Sequence, residues 1–207
     1  MKKKINVSLI CLLAIFAFTG CGEDEKTEKE TATTTVTQQT TTIFDETTKG
    51  AEYEELEDEV LTPPEASSVT IHEGENYSMC LYSDWSYEDR SGLDFFVIKD
   101  KEVQVSIVPD TSGMTTSLEE SKNTLCNLYD STEGYDVVSV GNVTINGNNG
   151  VVINYTITMG ENSYKGKQYL VEANDVFYAI TFLASEAEYA NYEQSVKEMI
   201  GSFHAAE

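Results

Sequence analysis

The sequence predicts an α+β domain with a mainly antiparallel sheet flanked by helices, an α/β/α sandwich, carried at the end of a chain whose first third cannot build a core. Three observations predict it. Short runs after Val69 alternate apolar and polar residues, two later stretches combine capping residues with helical spacing, and the elements run strands, helix, four strands, helix.

The amino terminus is of a different kind. Lys2, Lys3 and Lys4 precede an apolar run from Ile5 to Phe18 that is broken only by Asn6 and Ser8. As a helix that run would be about 21 Å long, short of the roughly 30 Å hydrocarbon core of a bilayer. A cationic start, a short apolar middle and a small-residue exit predict a secretory signal peptide over residues 1–20. The exit Phe18-Thr19-Gly20-Cys21 resembles a lipobox, which implies a diacylglyceryl group on the Cys21 thiol and a protein held to the cell membrane by lipid, facing the extracytoplasmic side. One acyl chain binds marginally and two bind stably, so such an anchor needs no membrane-spanning helix.

Residues 21–68 are expected to be the lipidated cysteine and a disordered tether. Ten of the eighteen residues from Thr31 to Thr48 are threonine, and from Gly22 to Ser68 the chain has 14 acidic and 3 basic side chains. Within it, Tyr53, Leu56 and Val60 are spaced as one side of a transient helical turn. Pro63-Pro64 marks the entry to the domain, expected over residues 69–207.

In the domain, Tyr77-Ser78-Met79-Cys80-Leu81 alternates, as do Val103, Val105 and Ile107, and then Val151, Ile153, Tyr155 and Ile157. Asn146-Gly147 supplies the positive φ of a tight hairpin. Val176 to Ala184 is apolar on both faces, the pattern of a central strand. One helix is expected to open with a capping box at Thr116-Ser117-Leu118-Glu119 and continue through Leu125, Cys126 and Tyr129. A second, capped at Ser185, carries Tyr189, Tyr192, Val196, Met199, Ile200 and Phe203 on its core-facing stripe.

On Tyr77 to Leu81 with Trp85 beyond it, the four-strand run from Asp136 to Ala184 and the closing Ile200-Gly201-Ser202-Phe203, the domain resembles the PsbP-like superfamily. The resemblance implies the sandwich fold and a non-catalytic role in assembly, partner binding or lipid association. A shared fold does not transfer a specific task.

Composition narrows the partners. The formal net charge is −23, and −26 once Lys2, Lys3 and Lys4 leave with the signal peptide, so nucleic acid and anionic lipid are repelled while basic proteins or peptides and divalent cations are not. His72 and His204 stand at opposite ends of the domain outside any ligand spacing, and no metal site or cofactor motif is expected. No serine sits in a nucleophile elbow, and an enzyme is not expected. With Cys11 removed and Cys21 lipidated, Cys80 and Cys126 remain, either bridged or as two buried thiols. Tyr82 to Gly92 reads as a polar loop that holds Tyr82, Trp85 and Tyr87. Those aromatics either recognise an envelope protein or peptide or, for Trp85, close the end of the sheet. Two functions stay open: a binding or assembly module, and a carrier of lipid or a small molecule with an apolar pocket between sheet and helix.

Overall fold

The alternating runs pair as the pattern requires, in a computed structural model that describes residues 53–65, 69–110 and 117–206. Signal peptide, Cys21 and the tether up to residue 52 lie outside the described residues.

The elements are β1 (Glu54–Glu55), β2 (Glu59–Leu61), β3 (Val69–Glu73), β4 (Tyr77–Tyr82), β5 (Trp85–Asp89), β6 (Asp94–Ile98), β7 (Val103–Asp110), α1 (Leu118–Ser131), β8 (Tyr135–Ile145), β9 (Asn148–Met159), β10 (Asn162–Ala173), β11 (Val176–Ser185), α2 (Glu186–Gly201) and β12 (His204–Ala205). A large sheet runs in the order β1-β8-β9-β10-β11-β7-β6-β5, with β2 also on β8, and a small sheet runs β12-β4-β3. All pairings are antiparallel except those of β1 and β2 with β8.

The large sheet separates two cores. On β9, β10 and β11, Ile153, Leu170, Ala179 and Leu183 face the core that holds Leu125, Cys126 and Tyr129 of α1. Val152, Tyr169, Val171, Ile180 and Phe182 face the other, shared with Val196, Met199 and Ile200 of α2 and with Tyr77, Met79 and Leu81 of the small sheet. The predicted sandwich is therefore present, with a second sheet beside α2 in one outer layer. β11 is central and buried along most of its length, as its apolar run predicts. Asn146 and Gly147 carry φ of 48° and 81° in the β8–β9 turn, the left-handed pair that such a hairpin needs.

The capping expectations shift in detail. Ser117, not Thr116, caps α1, its hydroxyl accepting from the Glu120 N–H at 3.1 Å. Ser185 precedes α2 without a side-chain cap, and the reciprocal bond of a capping box is absent too, because the Ser185 N–H donates to Glu102 O at 2.9 Å and Glu188 is drawn to Lys101 at 2.5 Å and to Asn191.

The tether boundary needs a larger correction. Residues 53–61 are not a tether with a passing helical turn but two short strands laid along β8. Leu61 is 5 % exposed inside the α2-side core, while Val60 points outward at 69 %. Leu56 donates its N–H to Val140 O at 2.8 Å and packs over Gly141, where a Cβ would stand 2.7 Å from that of Leu56. Thr62 passes Gly201 equally closely, with its carbonyl oxygen 2.6 Å from where a Cβ would be. Ends of the arm are fixed by Tyr53, which hydrogen-bonds Asp130, and by Glu59, which pairs with Lys197 at 2.6 Å.

Candidate interaction surface

At the other end of the large sheet no such arm exists among the described residues. There the chain turns a corner at Ser83-Asp84, leaving the small sheet at Tyr82 and joining the large one at Trp85. What reads in sequence as a polar loop is thus a corner followed by an edge strand, β5, whose Ser86, Glu88 and Asp89 are exposed. The polar residues that suggest a loop occupy the solvent side of that strand.

The three aromatics have different placements. Trp85 is 6 % exposed and meets Tyr192 of α2 edge to face, so it closes the sandwich end. Tyr82 is half-buried and its hydroxyl donates to Glu198. Burial, then that carboxylate, pushes the Tyr82 hydroxyl up to about 12, and the same bond holds Glu198 below the usual carboxylate range. Tyr87 is 43 % exposed, the most open of the three.

Tyr87 belongs to a cluster that the sequence did not reveal. His72 lies between it and Phe96, with ring centroids 4.4 and 5.0 Å away, and Tyr77 stands 6.2 Å off. The pairing of His72 with Met79 turns its ring inward between the two sheets. Its Nε2 is buried with no hydrogen-bond partner among the described residues. Below it the Asp94 carboxylate accepts from Tyr77 at 2.6 Å and from Tyr87 at 2.9 Å. Burial and that bond raise the Tyr77 hydroxyl well above the tyrosine range, and the bond to Asp94 raises that of Tyr87 from its ordinary value. Both stay protonated donors at neutral pH, the reverse of a lowered nucleophile pKa. The one signal that could have found the cluster is the period of two, which puts Tyr77 and Met79 on one face with His72 opposite.

Cys80 and Cys126 are both free. A bridge between them is excluded here by topology, since Cys80 lies on the small sheet and Cys126 on α1, with the large sheet between. Burial pushes the Cys126 thiol up to about 11, with Asp130 adding to the shift, so it behaves as an apolar core side chain. His204 is in β12, where it pairs with Ser78.

Acidic residues that look like ligands are engaged locally. Asp94 takes the two tyrosines, Glu88 binds Arg90 at 2.6 Å, and Asp89 accepts from the Gly92 N–H at 2.9 Å. No cluster of three metal-binding side chains occurs among the described residues. A cleft of about 380 Å³ opens between the arm, β8, β9 and the start of α1. Its carboxylates are also engaged: Asp58 by Asn142, Glu59 by Lys197, Glu119 by Lys122. The space between sheet and α2, where a carrier would need its pocket, is filled by Tyr169, Phe182, Met199, Ile200 and Phe203, each at most 1 % exposed.

The family model for PsbP-like protein matches residues 66–205. The chain belongs to that family. No curated protein matches the sequence. Among solved structures, LpqN of Mycobacterium tuberculosis, described as involved in cell envelope biogenesis, is similar at 8 % identity and TM-score 0.51, over 68 % of this chain and 91 % of that one. CyanoP of Synechocystis sp. PCC 6803 is similar at 14 % identity and TM-score 0.49, over 68 % and 94 %. The Saccharomyces cerevisiae Ran-binding protein Mog1p is similar at 10 % identity and TM-score 0.44, over 68 % and 96 %. The arm at residues 54–61 precedes the matched residues, so it is an addition to what the family model describes.

Proposed function

We propose that this PsbP-like protein is a lipid-anchored, extracytoplasmic binding or assembly module without catalysis of its own. The observation that carries the binding role is the open end of the sandwich, where Tyr87 on β5 and Ile71 on β3 are 43 % and 67 % exposed, each on the edge strand of its sheet with no described strand on its outer side. Aromatic side chains at such a place give large contact area with few rotors to freeze. The anchor reading rests on the lipobox-like Thr19-Gly20-Cys21 behind a short apolar run, and no helix among the described residues is long and apolar enough to cross a membrane. An envelope setting is compatible with the involvement of LpqN in cell envelope biogenesis. With residues 53–65 held in the domain, the proposed tether is residues 22–52, whose coil dimension is about 30 Å by 5–6 Å × √n.

The test has two arms. Replacing Cys21 with Ala is expected to move the protein from the detergent phase to the medium or to block its processing. A photo-crosslinking residue at position 87 is expected to capture an envelope protein in intact cells, and Tyr82→Ala with Tyr87→Ala to weaken that capture while the melting temperature stays within a few degrees. A large loss of stability with undiminished capture shows instead that the corner is only a lid on the core.

A further inference from the structure

The small sheet ends at β3, and its unpaired side can be assigned atom by atom. The β3–β4 hairpin closes with the Gly74 N–H donating to Tyr77 O at 2.8 Å. In an antiparallel ladder bonded and non-bonded pairs alternate, so His72–Met79 and Thr70–Leu81 exchange hydrogen bonds while Glu73–Ser78, Ile71–Cys80 and Val69–Tyr82 do not. Cys80 supports this independently, because its N–H turns away from β3 to donate to Ser202 Oγ at 2.8 Å. The backbone N–H and C=O groups of Val69, Ile71 and Glu73 therefore point out of the sheet, where no described strand receives them.

Edges of this kind are commonly blunted by Lys, Pro, a bulge or a covering segment. Val69-Thr70-Ile71-His72-Glu73 has no Lys or Pro and pairs with β4 without a register shift, and its central side chain is 67 % exposed. The large sheet faces the same problem at β8 and solves it with an extended piece of its own chain. Charge points to what could serve β3. Between Val69 and Leu93, Glu73, Glu75, Asp84, Glu88 and Asp89 are exposed, and the single Lys or Arg, Arg90, is tied to Glu88. A second copy would bring the same acidic edge against itself, whereas a basic segment neutralises it.

We propose that the outer edge of β3 binds an extended basic peptide segment, which adds as a fourth strand to the small sheet. The residue opposite Ile71 exchanges both backbone hydrogen bonds with it and lays its side chain on the same outer face. The residues on either side of it turn inward, on the face of β3 that carries His72 beside Tyr87. This names the partner chemistry of the binding role proposed above and rests on that reading.

The test follows backbone amide exchange in the purified full chain as three nine-residue peptides are added: alternating Val and Lys, alternating Val and Glu, and the Val–Lys peptide with Pro at its centre. The Val–Lys peptide is expected to slow exchange at Val69, Ile71 and Glu73, and the other two to leave it unchanged. Ile71→Pro removes one outward N–H that the β3–β4 ladder does not use, and is expected to weaken binding about tenfold while Thr70 and His72 stay protected. Ile71→Lys keeps that N–H, repels the basic peptide, and serves if the proline variant loses its fold. Binding unaffected by both variants, no slowing with the Val–Lys peptide, or slowing that rises with protein concentration alone each overturns strand addition. The last result would make a second copy the occupant. If Ile71→Pro is captured in the envelope as well as the parent while the Tyr82 and Tyr87 double variant is not, strand addition falls and the binding role stands; absence of capture at position 87 in the parent removes the binding role itself.

Discussion

The two ends of the large sheet meet one problem and treat it differently. At β8 the edge is covered by residues 53–61, which bury Leu61, hydrogen-bond through Leu56 and tie Glu59 to Lys197. At the other end β5 and β3 finish the two sheets with no described strand beyond them, and an aromatic cluster around His72 seals only the gap between layers. A covered edge contributes to stability, while an open one is available for recognition. The contrast teaches that the acidic segment before the domain is partly structural, and that the opposite end leaves two edge strands uncovered among the described residues.

The largest effect is expected from comparable truncations at the two ends. Leu61→Ala should cost about 2–4 kcal/mol, because it empties a core position, and Ile71→Ala less than about 0.5 kcal/mol. Urea denaturation of both variants measures the difference, and equal losses would erase the distinction. Next, Gly141→Ala should cost about 1–3 kcal/mol, since its methyl group would stand where Leu56 packs. It should also open residues 53–61 to limited proteolysis while the cleavage pattern at β3 stays unchanged.

A smaller effect is expected from pH. Burial would raise the Glu193 carboxyl, but Lys167 at 2.7 Å and Lys197 outweigh it and hold Glu193 below the usual carboxylate range. A depressed carboxylate adds stability above its unfolded pKa, and the gain is lost as pH falls through the folded value. Lys197→Met removes that charge and the partner of Glu59, so it should flatten the acid limb of the stability curve, by under about 1 kcal/mol because the group is substantially solvated. Unchanged acid sensitivity in that variant would show that Lys197 does not help to hold the Glu193 carboxyl down. Smallest of all, Tyr87→Ala should shift the melting temperature by no more than a few degrees, since 43 % of the residue is already in water.

Much of the sandwich was legible because long strands in a buried sheet leave a period-two record: β9 and the doubly covered β11 are visible in the residues alone. The stripe on α2 was legible from its spacing of three and four residues, with Val196, Met199 and Ile200 buried as that spacing requires. The arm was not. Its strands are two and three residues long, each buries little, and the acidic residues that suggest disorder sit on solvent-facing positions of an edge. The spacing of Tyr53, Leu56 and Val60 suggested one face, yet Leu61 is the residue that enters the core. Only Gly141 and Gly201 hinted at a close neighbour, and a glycine does not say which segment it admits. The candidate surface was half legible: the aromatics were found, but His72 and Asp94 come from other strands, and local pattern cannot show which strands a corner brings together. The choice between a bridge and two thiols stayed open in the sequence, because sequence does not show a sheet lying between two cysteines.

Residue-resolved hydrogen exchange of the full chain, without added peptide, tests the closed and open edges most directly. The Leu56 amide, bonded to Val140 O, should be protected far above its intrinsic rate, while the outward amides of Ile71 and Glu73 should exchange near theirs. A Leu56 amide that exchanges as fast as that of Ile71 would contradict the account, because the arm would then be tether after all and the two edges alike.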